Sequence, residues 1–412
     1  MVMLATAFLF AIGDAWLGWS LVLIVLFGSY PFALLIKLQQ KETLGFTFIM
    51  YVHIAMAVLC FYFMPQIVLA FGVDANGFVR EALQQEPFPF GVGVGAYVNF
   101  LRLFAAISPS VFSLYMTSLI GLTLACFVLL KILRLLEIRS YYFVILLFVT
   151  LVPTDIISTS IALREPWQVL FVLCSAYFSL SLSLPKSRSL RHVVGLILSL
   201  ICLGLLHRGL VYVAIIWPFL FFVSLWFMRS FERLDFIIKL FLILFVLAFG
   251  CAVLAHLASQ FSRFADSALA FSSHVHEGNS TYTIFFQAGN SFLTNIFHLP
   301  LALLYYWFYP FPWAIHRVKD IYGCIVGLMR LFFILYSFYF VLTSPEPRQR
   351  HLGGALLIVM LMISMVFAIG TSNYGTSLRH NILTFWGFVT LGVPGFYLHC
   401  YRRRCRRLGV AP

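Results

Sequence analysis

Apolar runs of about 20 residues recur from one end of this chain to the other, and each is long enough to cross a bilayer as a helix. Hydrophobic residues make up 62% of the 412 residues and charged residues only 10%, whereas soluble domains carry about 25% charged residues. A transmembrane barrel would show short alternating segments instead. The sequence therefore predicts an all-α, polytopic membrane protein.

The apolar runs predict about eleven transmembrane helices within one integral membrane domain, residues 1–412. The first run has no preceding basic region and no clear cleavage site, so we interpret it as a retained helix rather than a signal peptide. Segment 297–314 contains prolines and aromatic residues that suit an interfacial or re-entrant segment, and it is not counted. The predicted helices are 14–36, 46–71, 112–136, 141–156, 166–184, 192–207, 210–228, 236–258, 322–343, 352–370 and 383–400.

The formal net charge is +13, and the basic residues cluster in short loops. The positive-inside rule explains this clustering, and without a basic soluble domain we expect no nucleic-acid binding. If 297–314 does not cross, all the basic loops and the arginine-rich tail lie on the cytoplasmic side. The N-terminus is then outside and the C-terminus inside. Function is expected at the outer face, because the long loops collect there: 72–111, 259–296 and 371–382.

The stretch "FGVDANGFVREALQ" (71–84) places Asp74 directly after the second apolar run. Asp74 either caps a short surface helix or acts as a general base at the membrane surface. The helix that follows carries Arg80, and its predicted apolar side is formed by Phe78, Ala82 and Leu83.

Three further polar stretches interrupt the apolar runs. Each also has a plain interpretation: a hairpin with a local ion pair, a tight turn at the headgroups, or an interfacial anchor. A charge inside an apolar stretch nevertheless indicates function, and guanidinium groups bind phosphate through parallel hydrogen bonds. The candidates are Asp155, Arg164 and Glu165 in 149–171, His207 and Arg208 in 205–212, and Arg379 and His380 in 371–385.

Other chemistries have little support in the sequence. There is no P-loop, and the close glycines of "FGVGVGAYV" lie between membrane helices rather than between a strand and a helix. None of the eight cysteines forms a CxxC pair. "HVHEGN" (274–279) offers His274, His276 and Glu277, a short pattern that often occurs by chance. The sequence thus identifies no cofactor.

The order of these features resembles the GT-C superfamily of polytopic glycosyltransferases over roughly residues 45–230. An Asp in the first outer loop and a small amphipathic helix precede "ISPSVFSLYMTSLIGLTLACFVLLKILR". The tripeptide "REP" then precedes "WQVLFVLCSAYFSLSL". The later stretches "YPFPW" and "NYGTSLRH" are similar to those of bacterial surface-polysaccharide membrane proteins.

The resemblance implies transfer of a sugar from a polyprenyl-phosphate-linked donor to a glycan or lipid acceptor. It further implies a multi-pass protein of the bacterial inner membrane whose active site faces the periplasm or exterior. Asp74 would be the catalytic base and Glu165 an orienting catalytic residue. The phosphate-binding candidates are basic side chains: Arg80, Arg164, Arg208, Arg379, His207 and His380. Of these, Arg164, Arg208 and Arg379 are expected to converge within about 20 Å of Asp74, roughly two-thirds of the hydrocarbon thickness.

This chain departs from the superfamily pattern in one respect. Many members carry paired acidic residues where this chain has Asp74 alone, with Glu81 one or two helical turns away. A divalent metal requirement is therefore left open. Two other functions share the same membrane-lipid and glycan partners: a lipid-linked oligosaccharide polymerase or ligase, and a lipid-linked glycan transporter or flippase. Transporters place polar residues at mid-membrane on broken helices, whereas most polar residues here are predicted at one face.

Overall fold

The structure is a computed structural model that describes residues 15–35, 38–63, 73–84, 91–185, 189–230, 292–371 and 373–410. The described secondary-structure elements are all helical. The predicted helix 236–258, most of loop 259–296 and the residues His274, His276 and Glu277 lie outside the described residues. The chain forms two compact units, one built mainly from residues 1–211 and the other mainly from residues 212–412.

The first unit contains most of the predicted candidate residues. A π-helical turn, Leu59–Phe63, continues its second helix, and a 3₁₀ turn, Arg139–Tyr141, precedes its sixth. Its helices are α1 Trp16–Leu35, α2 Gln40–Val58, α3 Val73–Leu83, α4 Val94–Ala105, α5 Val111–Leu135, α6 Tyr142–Thr150, α7 Pro153–Ser160, α8 Glu165–Ser183 and α9 Leu190–Leu206.

The most deeply buried long helix of the second unit is α13, Pro347–Gly370. The helices α12, Val318–Thr343, and α15, Ile382–Leu408, approach each other closely at Gly395, where an added Cβ would overlap the carbonyl oxygen of Tyr336. Such small-residue packing is typical of helices in membranes. The remaining helices are α10 Arg208–Ser230, which begins in the first unit, α11 Phe292–Phe308 and α14 Tyr374–His380.

Seven helices of the described residues are long and apolar enough to cross a membrane, so the chain is a multi-pass membrane protein. The predicted count of eleven is not reached within the described residues. α9 has 17 residues and is one of the shorter apolar helices. The seven spans are Gln40–Tyr62, Val111–Leu135, Glu165–Ser183, Arg208–Ser230, Val318–Thr343, Pro347–Gly370 and Ile382–Leu408.

The predicted helix 141–156 is divided in the structure, because α6 ends at Thr150, α7 begins at Pro153 and the two helices meet at a 74° bend. Pro153 has no backbone N–H to continue the helical ladder, and it starts a new helix at the N-terminal position that suits proline. The bend frees the carbonyl of Thr150, which accepts a hydrogen bond from His53 Nε2 at 3.0 Å. The other ring nitrogen, Nδ1, lies 2.5 Å from Thr159 Oγ1. Residues 153–160, predicted as part of a turn, therefore form a short helix that His53 ties to α6.

Segment 297–314 is divided between α11 and a turn. α11 ends at Phe308, a cis peptide bond joins Tyr309 to Pro310, and a 3₁₀ turn covers Pro312–Ala314. Gly327 of α12 lets this turn pack closely, since a Cβ there would lie 3.2 Å from the backbone of Phe308. α11 is not among the seven candidate spans, and the prediction that this segment does not fully cross stays a prediction.

Candidate functional site

Arg164 lies at the end of an extended segment whose carbonyl groups are held by two neighbouring helices. Ser118 of α5 donates a hydrogen bond to the carbonyl of Ile161 at 2.7 Å. The hydroxyl of Tyr97 in α4 donates to the carbonyl of Leu163 at 2.9 Å. Buried backbone carbonyls need such partners when no helix supplies them. The residue immediately before Arg164 is thereby fixed, and α8 begins directly after it.

Arg208 lies at a second interruption, between α9 and α10. α9 ends at Leu206, and His207 is extended, with φ −157° and ψ 129°. The Gly93 N–H donates to the carbonyl of Leu205 at 2.7 Å. Gly93 has φ +89° and ψ −117°, a conformation available essentially only to glycine. This glycine joins the start of α4 to the break between α9 and α10.

The two arginines meet at Gly93. The ideal Cβ position of Gly93 lies 3.7 Å from Arg208 Cγ and 3.9 Å from Arg164 Nη1. Arg164 Nη1 also donates to the carbonyl of Leu206 at 3.3 Å. The base of the Arg208 side chain and the guanidinium of Arg164, which the sequence separates by about forty residues, therefore both lie beside one backbone turn. Arginine side chains are suited to bind a phosphate through parallel hydrogen bonds.

The amphipathic helix α3 packs against this pair of arginines. The Arg164 guanidinium carbon lies 5.3 Å from the ring centroid of Phe78, a cation–π contact. Phe78 is buried and meets Tyr97 edge-on at 5.3 Å. At the other end of α3, Arg102 donates to the carbonyl of Glu81 at 3.1 Å, which suits the negative end of a helix. α3 is thus held at both ends, with its apolar side on the arginine site.

Asp74 lies in the first turn of α3 and is exposed. It precedes Phe78 by four residues, about 6 Å along the helix axis, so it lies one turn from the residue that contacts Arg164. This arrangement keeps Asp74 and Arg164 within the about 20 Å expected for one shared headgroup.

Two other polar residues of α3 have partners of their own. Asn76 accepts a hydrogen bond from the Tyr115 hydroxyl at 3.3 Å. Arg80 lies on the exposed side of α3 and pairs with Glu81 at 3.6 Å.

His207 is kept neutral beside the two arginines. Burial and, to a smaller extent, the positive charges of Arg164 and Arg208 together lower its pKa to about 3. Its Nδ1 accepts the Gly209 N–H at 3.1 Å. The neutral ring therefore carries its proton on Nε2, which makes that nitrogen a hydrogen-bond donor.

Glu165 and Gln168 form the buried side of the site. Glu165 is 2% exposed, and its role as a residue that orients its neighbours stays a prediction. Burial raises the pKa of Tyr97, and the negative charge of Glu165 raises it further. Gln168, one turn after Arg164, is also buried and shares the Leu206 carbonyl with it, at 3.5 Å from Nε2. Asp155 is buried in α7.

The remaining predicted residues, Arg379 and His380, belong to the second unit. His380 is buried and lies 4.5 Å from the ring centroid of Phe367. Its predicted role in phosphate binding stays a prediction. Residues 374–380 form the short helix α14 within the predicted polar loop 371–382. Arg379 lies in the last turn of this helix and is half-buried.

Sequence reasoning missed Gly93, Phe78 and Gln168 in the first unit and Arg330 in the second. Arg330 is 4% exposed inside the span α12. Its guanidinium donates to the carbonyls of Trp307 at 3.4 Å and Leu378 at 3.1 Å. A charge inside an apolar helix was visible in the sequence, and that feature alone would have identified Arg330.

Among the residues that the structure describes, no group of three or more His, Cys, Asp or Glu side chains could hold a metal ion. No family model, curated protein or solved structure matches this chain.

Proposed function

We propose that this protein is a GT-C-type membrane glycosyltransferase of cell-surface polysaccharide biosynthesis. It takes a sugar from a polyprenyl-phosphate-linked donor and transfers it to a hydroxyl of a glycan or lipid acceptor at the outer face of the membrane. The observation that supports this proposal is that Arg164 and Arg208 both lie beside Gly93, with Arg164 against the helix α3 that bears Asp74.

The chemistry assigned to these residues is a displacement at the anomeric carbon. The acceptor oxygen forms a bond to that carbon as the bond from the carbon to the phosphate oxygen breaks. Asp74 accepts the proton of the attacking hydroxyl. The leaving phosphate carries away the electron pair, and the guanidinium groups of Arg164 and Arg208 stabilise its growing charge. The Nε2–H of His207 is suited to donate to the same phosphate without adding a charge that depends on pH.

Binding of the lipid phosphate is the first test. Purified protein in nanodiscs is titrated with a synthetic polyprenyl phosphate that carries no sugar. Arg164→Lys and Arg208→Lys keep the charge but lose the planar fork, so each should weaken binding by about tenfold, or 1.4 kcal/mol. Arg348→Lys is the matched control, because Arg348 is paired with Glu137 in the second unit. Unchanged affinity in both site variants would remove the basis of the proposal.

Transfer is tested separately with Asp74→Asn. This variant should bind the polyprenyl phosphate like the wild type, because Asp74 is exposed and is not one of the phosphate donors. Its transfer rate should fall by about 10² to 10⁴, the usual loss for a general base. Mass spectrometry of the product separates a single-sugar transferase from a polymerase or ligase by the length of the transferred glycan. Asp74→Asn with the wild-type rate would exclude Asp74 as the base.

A further inference from the structure

The turn before α12 presents an exposed tryptophan in a fixed orientation. We call residues 311–319 the α12 tip. Trp313 is 80% exposed, yet its ring stacks on Phe311 with centroids 5.0 Å apart and planes 12° from parallel. Phe311 in turn meets Tyr305 edge-on at 5.1 Å. An exposed ring that is held by other rings offers a rigid, amphipathic surface.

An apolar stripe begins at the same place and continues along α12. Its members are three or four residues apart, so they lie on one face of the helix. α12 is one of the seven candidate spans, and a face of this kind suits contact with lipid acyl chains. The stripe comprises Val318 at 84% exposed, Ile321 at 47%, Ile325 at 59% and Leu328 at 56%.

The charges exposed at the α12 tip are basic. His316, Arg317 and Lys319 are all exposed. The adjacent acid, Asp320, is buried, and its carboxylate accepts hydrogen bonds from the backbone N–H groups of His316 and Arg317 and, at 2.5 Å, from the Tyr374 hydroxyl. The negative charge is therefore directed into the protein, whereas the basic residues stay accessible, with Lys319 Nζ 5.6 Å from the ring centroid of Tyr374.

Topology alone does not account for these cations. At the opposite end of α12, Arg402 of the arginine-rich tail donates to the carbonyl of Thr343 at 2.6 Å. The 26 residues of α12 separate the two ends by about 39 Å. The positive-inside rule assigns one end of a span to the cytoplasm, and the tail already occupies such an end. The exposed basic residues of the α12 tip are therefore not explained by the cytoplasmic side of this span.

We propose that the α12 tip and the stripe below it bind an anionic diacyl phospholipid. The acyl chains lie along Val318, Ile321 and Ile325, and Trp313 sits at the level of the glycerol backbone, where interfacial tryptophans are enriched. Arg317 and Lys319 hold the negatively charged headgroup. This site is independent of the proposed transferase reaction.

The experiment uses Trp313 as a reporter of the lipid beside it. The full-length protein is placed in bilayers of phosphatidylcholine mixed with phosphatidylglycerol, with bromine on the chains of one lipid or the other. The fluorescence of Trp313 is obtained by subtracting the emission of the Trp313→Phe variant from that of the wild type, and its quenching is measured on this difference. Brominated phosphatidylglycerol should quench this component more strongly than brominated phosphatidylcholine at the same mole fraction.

The double variant Arg317→Gln, Lys319→Gln should remove that preference. Each cation near an anionic lipid surface contributes about fivefold to binding, so the two together should account for about thirtyfold in relative affinity. Arg348→Gln, an arginine paired with Glu137, should leave the preference unchanged. Equal quenching by both lipids in the wild type, no quenching by either, or a preference that survives the double variant would each overturn the proposal.

Discussion

Replacement of Gly93 by alanine should damage the arginine site through the backbone alone. A Cβ at this position would meet Arg208 Cγ at 3.7 Å and Arg164 Nη1 at 3.9 Å, which are ordinary van der Waals distances. The cost therefore comes from the conformation, φ +89° and ψ −117°. A non-glycine residue held in such a region costs about 1–3 kcal/mol.

The chain can reduce this cost only by moving the turn. Movement would break the hydrogen bond from the Gly93 N–H to the carbonyl of Leu205, 2.7 Å long, and would shift the start of α4 away from Arg164 and Arg208. Gly93→Ala should therefore lower the thermal stability of the purified protein. If the whole cost falls on the site instead, affinity for polyprenyl phosphate should drop by about 5- to 150-fold.

Gly91→Ala is the matched control, only two residues away. Gly91 has no atom within 4 Å of its ideal Cβ, and its φ lies outside the left-handed range. An added methyl group there should leave stability unchanged or raise it by about 0.4–1 kcal/mol, because alanine restricts the unfolded chain. Both variants are compared by thermal unfolding in detergent and by lipid-phosphate binding. If Gly93→Ala matches Gly91→Ala in both assays, the argument from the backbone of Gly93 is wrong.

Three further variants test neighbouring features. Phe78→Leu should lower the transfer rate by about two- to fivefold, which is the usual cation–π contribution. Phe78→Tyr should retain the wild-type rate, and both rates are measured by steady-state kinetics. Arg330→Leu should leave the carbonyls of Trp307 and Leu378 without the donor that Arg330 supplies. The yield of monodisperse protein in size-exclusion chromatography should therefore fall sharply, and the yield of Arg330→Lys should lie between those of Arg330→Leu and the wild type. His207 takes up a proton more readily in the unfolded chain, because its folded pKa is about 3 against 6.5. Stability should therefore fall between pH 6.5 and pH 3, by at most about 1.4 kcal/mol per pH unit, and His207→Gln should flatten the dependence of the melting temperature on pH.

Charge in an apolar context was enough to select Arg164 and Arg208 from the sequence, because a cation there is costly without a purpose. The sequence could not show that they meet. "FGVGVGAYV" contains three glycines, at positions 91, 93 and 95, and only the fold shows that Gly93 takes the positive φ. Phe78 was likewise hidden, since the chain has 46 phenylalanines and nothing local indicates which of them covers a guanidinium group.

The bend between α6 and α7 could not be predicted for a different reason. Pro153 lies near the end of the predicted helix 141–156 and is expected to end a helix, but the sequence does not show that α7 begins there at 74° to α6. The structure shows that the proline ends the ladder at Thr150 and that His53, about a hundred residues earlier, supplies the lost hydrogen bond. A partner at that distance in sequence has no local pattern, so only the tertiary structure could reveal it.

The same break bears on the choice between transferase and transporter. Broken helices in transporters expose unwound carbonyls to a substrate or coupling ion at mid-membrane. Here the freed carbonyl of Thr150 already accepts a hydrogen bond from His53 Nε2, and His53 Nδ1 is engaged with Thr159. Thr159 Oγ1 also lies 2.8 Å from the carbonyl oxygen of Asp155, so its one proton has two neighbouring acceptors. Polar groups that bond to one another in this way favour a fixed frame over an ion pathway. The arginines at Gly93, by contrast, include an exposed member in Arg208, which would be accessible to the charged lipid of the transferase that we propose.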